Sequence, residues 1–320
     1  MRLATLVAAA LAIAAPAVAQ DYPTRPVTWI VGFPPGSASD TVARNLGARL
    51  AERLGKPFII ENKPGAGSII AAQTTARAAP DGHTIMIAPI GTMAINQTLY
   101  KSLPYDPLKD FTLVVHIANF PYVLVVGEKS EIKSVQDIIK FAKAGKKLSF
   151  ASSGAGTGIH LTGELFKRET GIEMQHIPYR GPALAMTDII EGRVDMIFSD
   201  PATVVSLING GKVRGLGVSS KERFSVLPDV PTIAEAGVPG FESRAWHIIV
   251  APAGTPEPIV AKLRSEFRAL AALPDVKQQL LTNGLVAVVS ADEPDVRKMV
   301  ETDAAFWADF LKKVGLAGSE

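Results

Sequence analysis

Short apolar runs alternate along this chain with stretches in which apolar residues recur every three or four positions, the pattern of strands followed by amphipathic helices. Val27 to Val31 reads as a strand, and Val42, Leu46, Leu50 and Leu54 then form the buried stripe of a helix beginning near Thr41. Phe58 to Glu61 predicts a second strand, Ile69 to Ala79 a helix closed by the turn Pro80-Asp81-Gly82, and Thr84 to Ala88 a third strand. Pro104-Tyr105-Asp106-Pro107 breaks the pattern, and a new series starts near Tyr122. It predicts strands at Val123–Val126, Leu148–Phe150, Met174–Ile177, Val194–Phe198 and Val213–Val218. Between them fall helices at Val135–Ala144, Ile159–Thr170, Ala183–Glu191 and Ala202–Asn209. Such alternation argues an α/β architecture with largely parallel sheets.

One further apolar run, Trp246 to Ala251, is similar in length and character to Val123–Val126. If these two strands cross between lobes, the helices from Pro256 onward return to the first lobe. Residues 20–121 and 246–320 then form a discontinuous first lobe and residues 122–245 a second, hinged at the two crossovers.

Two glycine-rich segments each join a predicted strand to a predicted helix. The first is Phe33-Pro34-Pro35-Gly36-Ser37-Ala38-Ser39-Asp40, where Ser37, Ser39 and Asp40 are capping candidates. The second is Ser152-Ser153-Gly154-Ala155-Gly156-Thr157-Gly158. A helix start carries unpaired N–H groups and the positive end of the macrodipole, so two of them facing one cleft can hold an anion without lysine or arginine.

Residues 1–19 read as a secretory signal peptide: Arg2 supplies the charge, Leu3 to Ala15 the apolar segment and Ala17-Val18-Ala19 the small-residue cleavage signal. The apolar run is short of the ~20 residues a spanning helix needs. The expected product is periplasmic and without a membrane anchor; no cysteine is present to form a disulfide or carry a lipid. The 33 basic and 31 acidic residues leave no field to attract nucleic acid.

Catalytic signatures are wanting. The five histidines, His83, His116, His160, His176 and His247, show no zinc spacing, and there is no G-x-S-x-G elbow. The second glycine loop lacks both the G-K-[ST] ending and the G-x-G-x-x-G spacing of nucleotide loops. No cofactor, no metal and no enzymatic activity are expected. A secreted hydrolase using His160 or His247 as base is the rival from the enzyme class.

The chain resembles the Bug family, the periplasmic substrate-binding proteins of tripartite tricarboxylate transporters. The resemblance runs through Phe33-Pro34-Pro35-Gly36 with Asp40, Glu61-Asn62-Lys63-Pro64-Gly65-Ala66-Gly67, Ala79-Pro80-Asp81-Gly82 and Leu103-Pro104-Tyr105-Asp106-Pro107. It continues in Ser152-Ser153-Gly154 with Gly156-Thr157 and His160, Pro178-Tyr179-Arg180-Gly181, Leu227-Pro228-Asp229-Val230-Pro231-Thr232 and Ala251-Pro252-Ala253-Gly254-Thr255-Pro256. It implies a two-lobed periplasmic-binding-protein fold of type II that closes on a small mono- or dicarboxylate, aliphatic or aromatic. It further implies delivery by a monomeric receptor to membrane permease subunits, or, for a sensing relative, to a sensor kinase. The carboxylate would lie on Gly36, Ser37, Ala38, Ser39 and Asp40, partly through water, with Phe33 as an apolar wall. Ile90, Gly91 and Thr92 would line the same side, and Ser152, Gly156, Thr157 and His160 the other. The chain departs from the usual pattern at Ser37, where a second glycine is common, at Ser199-Asp200, where the family varies, and at Trp246-His247. Ser199, Asp200 and His247, with Arg180 and Arg244, are the candidates for reading the far end of the ligand.

Overall fold

The computed structural model describes residues 22–288 and 293–320. The expected signal peptide lies outside the described residues. Strand β1 (Val27–Val31) leads into α1 (Ala38–Leu54), which starts earlier than its apolar stripe because Ser37 Oγ accepts from Asp40 N–H and opens the helix at Ala38. Gly55 ends it in the left-handed region with φ 68°. There follow β2 (Phe58–Asn62), α2 (Ile69–Ala76), β3 (Thr84–Pro89), a wide helical turn at Gly91–Ile95 that runs into α3 (Asn96–Leu99), and β4 (Phe111–Pro121).

The second series comprises β5 (Val123–Gly127), α4 (Val135–Lys143), β6 (Leu148–Ser152), α5 (Gly158–Thr170), β7 (Met174–Pro178), α6 (Pro182–Ile190), β8 (Met196–Ser199), α7 (Pro201–Asn209) and β9 (Val213–Val218). The chain then returns through β10 (Arg244–Pro252), α8 (Glu257–Ala272), α9 (Pro274–Thr282), β11 (Val286–Ala287) and α10 (Glu293–Lys313). No helix among the described residues is long and apolar enough to cross a membrane.

These strands build two sheets, ordered β11-β4-β10-β3-β1-β2 and β7-β6-β8-β5-β9, the two-lobed architecture of periplasmic binding proteins. The expectation of largely parallel sheets is corrected. β1 pairs in parallel with β2 and β3, and β6 with β7 and β8, but β10 runs antiparallel to β3 and β4, and β5 antiparallel to β8 and β9. The reason is connectivity. A helical crossover returns the chain in the same direction, whereas here a strand runs straight out of one sheet into the other and meets its neighbours reversed.

The place of that crossing also differs from expectation. β5 lies wholly in the second sheet and β10 wholly in the first; the chain passes outward between β4 and β5 with Tyr122 alone between them, and back at Ser243. Ser219 ties the two passages together: its Oγ accepts from Tyr122 N–H at 2.8 Å and donates to Ser243 O, while its N–H donates to Tyr122 O at 2.8 Å.

Each sheet has its own apolar layer. In the first, Trp29 is fully buried, with Phe267 of α8 and Phe58 set edge-on against it at 5.3 and 6.4 Å. In the second, Phe198 packs between Phe166 of α5 and Phe241. The loops at the carboxyl ends of β1, β3, β6 and β8 consequently face one another.

Candidate functional site

The first glycine loop is braced from behind. Gly36 has φ 84°, and its N–H donates to Asp40 Oδ2 at 3.0 Å. The Asp40 carboxylate also accepts from Arg44 Nε and Asn62 Nδ2, each at 2.9 Å, and Asn62 Nδ2 reaches Phe33 O as well. Burial pushes the Asp40 carboxyl up, but the donors on Arg44, Gly36 and Asn62 outweigh it and hold the group below the usual range. Gly36 and Asp40 therefore shape the loop and do not line the cavity. Ser37, Ala38 and Ser39 do, presenting N–H groups at the start of α1 that have no acceptor within the helix.

Ser39 Oγ lies 2.9 Å from His247 Nε2, and both residues are buried. Burial, with His116 nearby, lowers the His247 ring to about 3, so it is neutral. Its Nδ1 is buried and meets no partner among the described residues. We assign the proton to Nε2, since the other tautomer would leave an N–H unpaired. Nε2–H then donates to Ser39 Oγ, and the Ser39 hydroxyl proton is left to face the cavity.

The second glycine loop repeats the design with different parts. Gly154 N–H donates to Ser152 Oγ at 3.0 Å, and that oxygen pairs with His176 Nε2 at 2.6 Å. Thr157 caps α5 by accepting from His160 N–H, and its hydroxyl donates to Gly154 O at 2.8 Å. The His160 ring stacks on His176 at 3.9 Å, and its Nδ1 accepts from Gly156 N–H. Burial is the main cause that lowers these rings to about 3 and about 4. Ser152, Gly156 and His160 thus stand behind the cavity, while Thr157 lines it.

The cavity has a volume of about 50 Å³. Phe33, Ile90 and Gly91 line it, as do Asp200 and His247. Thr92 and Ser199 are fully buried outside it, each with an Oγ that meets no partner among the described residues. Arg180 is exposed beside an outer cavity of about 310 Å³ that shares Phe33, Gly67 and Ser153 with the inner one. Arg244 pairs with Asp303 at 3.3 Å away from the cavity.

Sequence reasoning passed over several lining residues: Gly67, Phe120, Tyr122, Ser153 and Pro182. Ser153 and Gly67 lie inside the family motifs, and Tyr122 adjoins the crossing. Phe120 and Pro182 carry no local signal.

Four helices begin at this cavity: α1 at Ala38, α5 at Gly158, α6 at Pro182 and α7 after Asp200. No lysine or arginine lines it, and Asp200 is its only carboxylate. The geometry favours an anion held by N–H and hydroxyl donors. The two lobes touch around it. Tyr100 OH donates to Ala155 O at 3.3 Å, and a Cβ on Gly91 would stand 2.6 Å from Gly156 O.

Comparison with known proteins finds a receptor family and solved structures of the same fold. Residues 42–316 match the profile of the tripartite tricarboxylate transporter family receptor. A UPF0065 protein from the tcbD-tcbE intergenic region of Pseudomonas sp. (strain P51) is 40% identical over 85% of this chain and 81% of its own. Protein BugT of Bordetella pertussis is 32% identical over 95% and 93%. Among solved structures, R. palustris Rpa4515 with adipate superposes with a TM-score of 0.89 at 36% identity, covering 92% of this chain and 99% of that one. MatC from Rhodopseudomonas palustris with bound malate gives 0.83 at 34%, covering 90% and 99%. The periplasmic binding protein BugD gives 0.88 at 32%, covering 92% and 99%.

Proposed function

Because this chain belongs to the tripartite tricarboxylate transporter receptor family, we propose that it is a periplasmic receptor that captures a small carboxylate between its lobes and hands it to membrane permease subunits. The convergence of four helix starts on one cavity without a lysine or arginine carries this reading. The starts of α1 and α5 present N–H groups, each worth ~0.3–1 kcal/mol toward an anion, whereas α6 and α7 open on Pro182 and Pro201 and Asp200 caps α7. Adipate and malate in the two superposed proteins are carboxylates, in keeping with it.

In this reading the carboxylate rests on the α1 start, taking hydrogen bonds from the N–H groups of Ala38 and Ser39 and the hydroxyls of Ser37 and Ser39. Thr157 has committed its hydroxyl to Gly154 O, so the second lobe contributes N–H groups at the start of α5. We take the expected division, residues 20–121 with 246–320 against 122–245, moved by two residues so that β10 stays whole in the first lobe, with the lobes turning about Tyr122 and Ser243. The receptor works as a monomer and releases its ligand unchanged.

A thermal-shift screen of carboxylic acids tests the reading. A true ligand at ~100 times its Kd stabilises the folded state by ~2.7 kcal/mol. Mass spectrometry of the recovered ligand should show no product. If no carboxylate raises the melting temperature, or product accumulates beyond one per protein, the reading is wrong.

A further inference from the structure

Asp200 is a carboxylate inside a cavity that otherwise favours anions, and the helix it caps does not use all of it. Its side chain is 5% exposed, and Oδ1 accepts from Thr203 N–H at 3.1 Å and Thr203 Oγ1 at 3.0 Å. No hydrogen bond from another residue reaches Oδ2 among the described residues, and Asp200 lines the cavity. No cation stands opposite. The titratable groups that share the cavity are Tyr122, whose acidity Asp200 and burial both suppress, and the neutral His247.

We propose that Asp200 is the specificity-determining residue at the far end of the site: its free oxygen accepts a hydrogen bond from the ligand, so the protein selects carboxylates whose second functional group is a donor. The inference rests on the capture reading above. A hydroxyl or an ammonium meets the requirement at any pH, whereas a second carboxylate meets it only after one proton is added to the pair. Burial lifts the Asp200 carboxyl to about 6, which makes that proton accessible in mild acid and scarce above neutrality. The cavity volume of about 50 Å³ favours a short ligand.

The test uses four acids of one length (butyrate, 4-hydroxybutyrate, 4-aminobutyrate and succinate), together with adipate, titrated calorimetrically at pH 5 and pH 8. For the wild type at pH 8, 4-hydroxybutyrate and 4-aminobutyrate should bind at least tenfold more tightly than butyrate, and succinate more weakly. Succinate should gain at least tenfold at pH 5. Asp200→Asn keeps the helix cap, since asparagine is as good there as aspartate. It supplies an N–H₂ donor, so succinate should rise at least tenfold at pH 8 and 4-aminobutyrate should fall. A D200N protein that melts cooperatively yet ranks the acids as the wild type does, or shifts all of them equally, would overturn the proposal and leave Asp200 a helix cap. Absence of binding by all five acids to both proteins would instead overturn carboxylate capture itself.

Discussion

At the residue scale, burial keeps three histidine rings of the site neutral. His160, His176 and His247 protonate only at about 3, 4 and 3 in the folded protein. In the unfolded chain they protonate near 6.5, so the unfolded state binds more protons between those limits. Their contribution is full above pH 6.5 and is lost as the pH falls toward 3 to 4, about 2 kcal/mol per ring at pH 5. Urea unfolding at pH 7 and pH 5 should show this fall, and His247→Gln should reduce it. Asp200 has the opposite sign, because its folded value is raised to about 6. Stability is full below the ordinary carboxylate value and lost as the pH rises through 6. Asp200→Asn should therefore stabilise the ligand-free protein by up to about 3 kcal/mol at pH 8 and by only about 0.5 kcal/mol at pH 4. Ser39→Ala removes the hydroxyl proton that His247 leaves free for the cavity, and should cost roughly 1 to 3 kcal/mol in affinity for every carboxylate tested by calorimetry.

At the scale of elements, the glycines of the cleft matter because backbone meets backbone there. A methyl on Gly91 would lie 2.6 Å from Gly156 O of the other lobe. Gly91→Ala should leave the melting temperature of the ligand-free protein within a degree or two, since an open form escapes the clash, and should weaken ligand binding tenfold or more. Thr157→Ala removes the α5 cap and should lower stability by ~1 kcal/mol in the same unfolding assay. Most elements were legible in the sequence because each strand ends at a turn or a helix cap. β4 was not. Its Phe111–Pro121 stretch contains His116 and Asn119, and it passes into β5 with only Tyr122 between, so no turn marks its end. The two glycine loops were legible for the same reason as the strands, whereas the division of labour within them was not. That Asp40 faces Gly36 and Asn62, and Ser152 faces His176, depends on partners 4 to 24 residues away that no spacing rule reveals.

At the scale of the molecule, the crossing at Tyr122 and the return at Ser243 meet at one place, joined by the Ser219 hydroxyl, and in the capture reading the lobes turn there. Small-angle scattering should therefore give a smaller radius of gyration with ligand in the wild type and an unchanged one in Gly91→Ala. The placement of the three tryptophans adds an optical consequence. Trp29 is sealed in the first apolar layer and Trp307 lies on α10, while Trp246 alone lines the cavity, its indole N–H held by Asp303 at 2.6 Å. Trp246 shares the β10 face of Arg244 and Asp303, opposite His247 and beside the return at Ser243, so in the capture reading it senses movement of the lobes, with the other two as an internal reference. Ligand should change the intrinsic emission of the wild type, Trp29→Phe and Trp307→Phe proteins and leave that of Trp246→Phe unaltered, so the native chain can report its own occupancy without a dye.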